Sequence, residues 1–178
     1  MKPWVNRPIE IRNLFNPAFC GLVLHRAITS FRDKDERGMP FSLSLLILPL
    51  SLQQGSREVL QGGNRSYFLK VIAEHPELLV GFASRSADVL PFTFEGLGLL
   101  MHVGALTVTT EGLLLPGDGR VTKTVNGSEE FKACQRVATY LGRRLINFDT
   151  IFWLRRALRR RGSFPDACRS GLRCLGTV

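Results

Sequence analysis

The feature that most constrains this 178-residue chain is a single break in its period. As far as Gly104, apolar residues return every three or four positions, the spacing of helices that bury one face. Then Leu106-Thr107-Val108-Thr109 and Leu113-Leu114-Leu115 form short extended runs across Thr110-Glu111-Gly112, which predicts a β-hairpin. The helical period resumes after Ser128. Phe131, Cys134, Val137, Ala138, Leu141 and Leu145 then share one face. Helices, a hairpin directly after a helix, and another helix predict a mainly α domain of winged helix-turn-helix-like arrangement.

The ends of the elements are also legible. Asn16-Pro17 reads as an N-cap followed by proline in the first turn, where its missing N–H costs nothing. The helix it starts should run to about Phe31. Arg32 to Gly38 reads as a solvated loop, and Pro40 opens an apolar segment, Phe41 to Leu52, with a kink expected at Pro49. Ser56 could cap a single turn. Further helices are expected at 66–74, at 76–89 with Leu78, Leu79, Phe82 and Ala83 as the buried stripe, and at 93–103 with Phe94, Leu97, Leu100 and Met101 on one face. Val121 to Val125 could add a third strand, and Asp149 could cap a last helix from Ile151.

Charge is unevenly placed. The formal net charge of +9 suggests nucleic acid at first sight. Residues 155–178, however, hold seven arginines and one acid, which leaves seventeen basic against fourteen acidic residues in 1–154. The expected organisation is therefore one near-neutral domain over 1–154 and an arginine-rich tail over 155–178, disordered beyond about Arg161. A duplex reader needs cations for phosphates, yet Pro91 to Thr110, the would-be recognition helix and first wing strand, contains no Lys or Arg. That sequence suits contact with protein better than contact with DNA.

No residue pattern points to catalysis. Cys20, Cys134, Cys168 and Cys174 form no Cys-x-x-Cys pair and are too few for a disulfide scaffold. His25, His75 and His102 lack metal or triad spacing; His25 reads as a cation near the end of the first helix, and His75 as a cap. Gly117 to Thr124 ends in Lys-Thr but has Thr122 where a phosphate loop needs glycine. Asp35-Glu36 and Glu129-Glu130 read as solvated pairs, the second suited to a first helical turn. The expectation is a non-enzyme with no catalytic residue, no cofactor and no metal. The N-terminus carries no apolar run of a secretory signal, and Phe41 to Leu52 is too short to span a membrane, so a cytoplasmic protein without membrane attachment is expected. The Asn-x-Ser sequons at Asn64 and Asn126 then carry no meaning.

Several stretches carry a resemblance. They are Asn13-Leu14-Phe15-Asn16-Pro17-Ala18-Phe19 with Arg26; Gly38-Met39-Pro40 and the Leu45–Leu52 run containing Pro49; Pro76-Glu77-Leu78-Leu79 with Gly81-Phe82-Ala83 and Arg85; Leu90-Pro91-Phe92-Thr93; and Leu141-Gly142-Arg143 before Thr150-Ile151-Phe152. In this order and spacing, over about residues 8–153, they resemble the middle component of bacterial three-component ABC systems. Asn16, Pro17, Phe19, Arg26, Pro40, Pro49 and Arg85 are the signature positions.

The resemblance implies a non-enzymatic adaptor between an ABC-type ATPase, related to chromosome-maintenance ATPases, and a third component, in systems of biological conflict such as anti-phage defence. It implies protein partners, with nucleic acid reached only indirectly or through the arginine tail. The chain departs from the family at Arg144-Leu145, where an aromatic is usual, and in running on past Phe152, as a frameshifted extension would. A winged-helix DNA-binding transcriptional regulator is the alternative reading. Under the adaptor reading, Phe41–Leu52 and Phe92–Gly104 are the expected contact helices, with Phe92, Phe94, Gly98 and Met101 named for the second. Burial of both in the core is the competing expectation. Glycine inside a helix costs about 1 kcal/mol against alanine, so Gly96, Gly98 and Gly104 suggest close backbone approach.

Overall fold

A computed structural model describes residues 15–62, 67–122 and 128–147. The architecture is mainly α with a small antiparallel sheet, and its centre is the first helix, α1 (Pro17–Arg32). Asn16 caps it as its sequence predicts: the side-chain Oδ1 accepts from the Ala18 N–H at 2.9 Å, and Pro17 fills the first helical position. Nine of its residues are buried, from Cys20 to Phe31, because two long helices pack on it.

These neighbours are α6 (Phe82–His102) and α7 (Glu129–Arg144), and both approach α1 through glycine. A Cβ added at Gly96 would stand 3.0 Å from the Gly21 nitrogen, so α1 and α6 meet backbone to backbone there. A Cβ at Gly142 would collide with the Ala27 carbonyl on another part of α1. Helix α7 follows its sequence pattern closely. The Ser128 hydroxyl accepts from Phe131 N–H at 3.5 Å, and Cys134, Val137, Ala138, Leu141 and Leu145 are buried. A short 3-10 turn, Leu145–Asn147, ends the described chain.

Between α1 and α6 lie α2 (Phe41–Ser44), α3 (Ile47–Leu52), α4 (Gln54–Gly62), α5 (Phe68–Glu74) and a 3-10 turn (Pro76–Leu79). The sheet has β1 (Met39–Pro40), β2 (Leu106–Val108) and β3 (Leu113–Pro116) in the order β1-β3-β2, antiparallel throughout. Met39 pairs with Leu114, and Thr107 with Leu115. A strand after the first helix that pairs with the second strand of a late hairpin is compatible with a winged-helix-like shape.

Four expectations need correction. The third strand is Met39–Pro40, while Val121 and Thr122 are not in a strand and 123–125 lie outside the described residues. Helices expected at 76–89 and 93–103 are a 3-10 turn and one continuous helix through Pro91. Pro91 lies on the exposed face, where the carbonyl its missing N–H leaves free is open to solvent, and burial of Val89, Thr93, Leu97 and Leu100 holds the helix together. Phe41–Leu52 is two short helices, and Pro49 sits buried inside the second rather than at a kink. Leu43, Leu46, Ile47, Leu48 and Leu50 are all buried, so this segment is core and not a contact surface. The last helix from Ile151 and the tail of 155–178 lie outside the described residues.

Candidate docking face

Helix α6 has two faces of different chemistry. Phe82, Val89, Thr93, Gly96, Leu97 and Leu100 turn inward, and the Thr93 hydroxyl donates to the Val89 carbonyl at 3.2 Å. Outward stand Ser84, Asp88 and His102 and, beside them, a stripe of Ala83, Ala87, Pro91, Phe94, Gly98 and Met101, all exposed. No side chain in this outward stripe carries a charge or a hydrogen-bonding group. Phe94 is 41% exposed, Met101 37% and Val103, just past the helix, 48%, which is high for large apolar groups.

Three of the four expected interface residues, Phe94, Gly98 and Met101, therefore share one exposed stripe. Phe92 does not belong to it. It is half-buried, its ring stacked 4.4 Å from Phe15 at the start of α1. Phe94 stacks on Phe41 of α2 with centroids 6.0 Å apart, which fixes its ring at the surface. Gly98 corrects the close-approach expectation, since nothing stands within 4 Å of a Cβ built there; Gly96 is the position of close approach. Val108 in the hairpin, 43% exposed, is an apolar group the sequence reading passed over. A period-two pattern only three residues long carried too little signal to say which face was bare.

The positions expected as a family signature each have a place in the fold. Asn16 and Pro17 start α1, Phe19 packs edge-on against Phe131 at 4.7 Å, and Pro40 pairs in the sheet. The Arg85 guanidinium donates to the carbonyls of Leu78, at 3.0 Å, and Val80, and so ties the 3-10 turn to α6. Arg26 is half-buried in α1. Sequence reasoning missed a second arginine of this kind. Arg57 on α4 is buried, donates to the Ser51 and Leu52 carbonyls at the end of α3, and pairs with Glu130 at the start of α7. Nothing in its neighbours marks it, because an arginine in a helical run usually reads as solvated.

Among the described residues, burial shifts two thiols and one imidazole toward their neutral forms. Burial, with a smaller push from Glu95, raises the Cys20 thiol to about 12. Burial also raises Cys134, and both cysteines are free. His25 sits in mid-helix rather than near the end expected for it, and burial holds its pKa down, with Arg26 adding to the effect. Among the described residues no group of three or more His, Cys, Asp or Glu could hold a metal ion. An open cleft between the end of α1 and the hairpin is lined by Arg32, Asp33, Glu36, Thr107, Leu115 and Pro116, without the apolar walls of a ligand pocket. No described helix is long and apolar enough to cross a membrane.

The sequence also matches the model of a known family. The family model for ABC-three component (ABC-3C) system Middle Component 3 covers residues 4–154. The chain belongs to this family. No curated protein and no solved structure matches it. As a middle component of a three-component system, it works among protein partners.

Proposed function

We propose that this middle component is a non-enzymatic, cytoplasmic adaptor that couples the ABC-type ATPase of its system to the third component, in bacterial conflict or anti-phage defence. The observation that carries this reading is the outer face of α6. It carries an exposed apolar stripe beside Ser84, Asp88 and His102, and in a winged-helix-like arrangement α6 would be the recognition helix. Residues 86–119, from mid-α6 through the hairpin, contain four acids and no Lys or Arg. Phosphates would find no counter-charge there, while an apolar protein surface would lose water from Phe94 and Met101.

Co-expression of the chain with the ATPase and the third component encoded beside it tests the proposal. A complex that survives size-exclusion chromatography is expected. Separate elution at low salt would sink the reading. The family match ends at residue 154, so removal of the arginine-rich 155–178 should leave the complex intact.

The strand order β1-β3-β2 favours one second reading, a winged-helix DNA-binding regulator. It requires duplex binding with steep salt dependence that persists in the 1–154 chain. Binding that disappears with residues 155–178 would assign it to the arginines of that stretch instead.

A further inference from the structure

Helix α6 changes character at Pro91. On the C-terminal side its anchors follow at once. Phe92 stacks on Phe15 at 4.4 Å, Thr93 is buried, Phe94 stacks on Phe41, and Gly96 meets the Gly21 backbone. On the N-terminal side, from Phe82 to Leu90, only Phe82 and Val89 are buried. The segment leading into this half is also lightly held. Helix α5 packs chiefly on the 3-10 turn rather than on α1 or α7. Tyr67, Leu69 and Val80 stand more exposed than any other large apolar side chain among the described residues. Ser86 adds a buried hydroxyl with no hydrogen-bond partner among those residues, a cost that opening to water removes.

Two features make Pro91 a pivot. It supplies no N–H to the Ala87 carbonyl, so the helix lacks one rung there. Two residues on, the Thr93 hydroxyl donates to the Val89 carbonyl at 3.2 Å, a back-bond of the kind that bends helices. The segment before the pivot is stitched to itself. The Arg85 guanidinium donates to the Leu78 and Val80 carbonyls, which ties the 3-10 turn to the first half of α6. The His75 N–H closes α5 on the Val71 carbonyl at 2.9 Å, and its ring meets Glu77 in the turn at 2.9 Å. From this geometry we infer that residues 67–90 form a flap, which opens from the body as one cooperative unit at Pro91 while the rest of the domain stays folded. Closed is the resting state, because Phe68, Val71, Leu78 and Phe82 are buried in it. Off the body, neither α5 nor the first half of α6 is long enough to stay helical. A partner that binds the open and closed forms unequally would set the balance between them. The opening belongs to the fold and does not depend on the chain's being an adaptor.

Hydrogen exchange of the full chain, followed by NMR or mass spectrometry, reads the opening. Amides of 71–75 and 86–90 should exchange at least about tenfold faster than those of 97–102 and of 22–31 in α1, and should share one dependence on urea. Arg57→Met weakens the body and leaves the flap untouched. It should speed the α1 amides by about thirtyfold and leave 71–75 and 86–90 unchanged. Pro91→Ala restores the missing rung and should slow 71–75 and 86–90 alike, by about tenfold. Arg85→Met cuts the stitch, so 71–75 should then exchange faster than 86–90.

Exchange at 86–90 as slow as at 97–102 in the wild type would overturn the inference. Acceleration of the flap amides by Arg57→Met as large as that in α1 would mean a single global opening, and the flap would fall. Unequal responses of 71–75 and 86–90 to Pro91→Ala would show separate fraying of two pieces, and would overturn it also.

Discussion

Gly96 and Gly98 stand two residues apart on α6, and the same added methyl group would meet backbone at the first and open space at the second. On the inner face, glycine is set by packing: α1 and α6 cross where Gly21 and Gly96 let their backbones touch. On the outer face no such contact exists, yet the helix accepts Gly98 and Pro91 and places Phe94 and Met101 in water. For an isolated domain these choices cost stability on both counts, through helix propensity and through exposed apolar area. Under the proposed adaptor reading, contact with another protein would offset that cost.

Overpacking the inner face gives the largest effect. Gly96→Leu would drive a branched side chain toward the Gly21 nitrogen, 3.0 Å from the new Cβ, and the Leu24 Cδ1 at 3.2 Å. Backbone cannot step aside as a flexible side-chain end does. A loss of about 3 kcal/mol is expected, and a fall of about 10 °C in thermal unfolding followed by circular dichroism. Gly98→Leu on the outer face should melt near wild type. Equal losses at the two positions would erase the contrast between the faces.

A smaller effect tests how the chain treats its cations. It withholds Lys and Arg from the outer face of α6 but buries Arg57 between α3 and α7. Arg57→Met keeps much of the packing and removes the donors to the Ser51 and Leu52 carbonyls and the pair with Glu130. Glu130 is 63% exposed, so its charge stays hydrated when the partner goes. The expected cost is therefore about 2 kcal/mol, below that of breaking a wholly buried pair. Urea denaturation would measure it. No change in midpoint would show that water already serves those carbonyls.

How much of this was legible in the sequence depended on scale. Caps and long stripes were readable because each rests on local chemistry: Asn16 and Ser128 cap as expected, and α7 buries its predicted face. Two-residue β1 carries no alternation, and exists because β3 supplies its partner. Pro91 read as a helix break because propensity is local, whereas the inner face of α6 is held from outside the helix. Phe41–Leu52 is apolar on most of its circumference, a pattern shared by core helices and contact helices. Burial alone could separate them. For the docking face the sequence placed Phe94, Gly98 and Met101 on one helix and missed that Phe92 turns toward Phe15. The Arg57–Glu130 pair spans 73 positions and leaves no local trace.

The smallest effect carries the opposite sign. Gly98 lies in the interior of a 21-residue helix, with nothing within 4 Å of the missing Cβ. Its one contribution to the monomer is therefore the backbone freedom that folding must remove. Alanine there meets no neighbour and lowers the entropy of the unfolded chain, so Gly98→Ala should stabilise the monomer by about 0.5–1 kcal/mol. In thermal unfolding that amounts to a rise of about 2–3 °C. A single methyl also adds little to the exposed face, so under the adaptor reading partner affinity should fall less than with Gly98→Leu. Destabilisation by alanine would mean that Gly98 is already packed within the monomer. The outer face would then follow the same rule as the inner one.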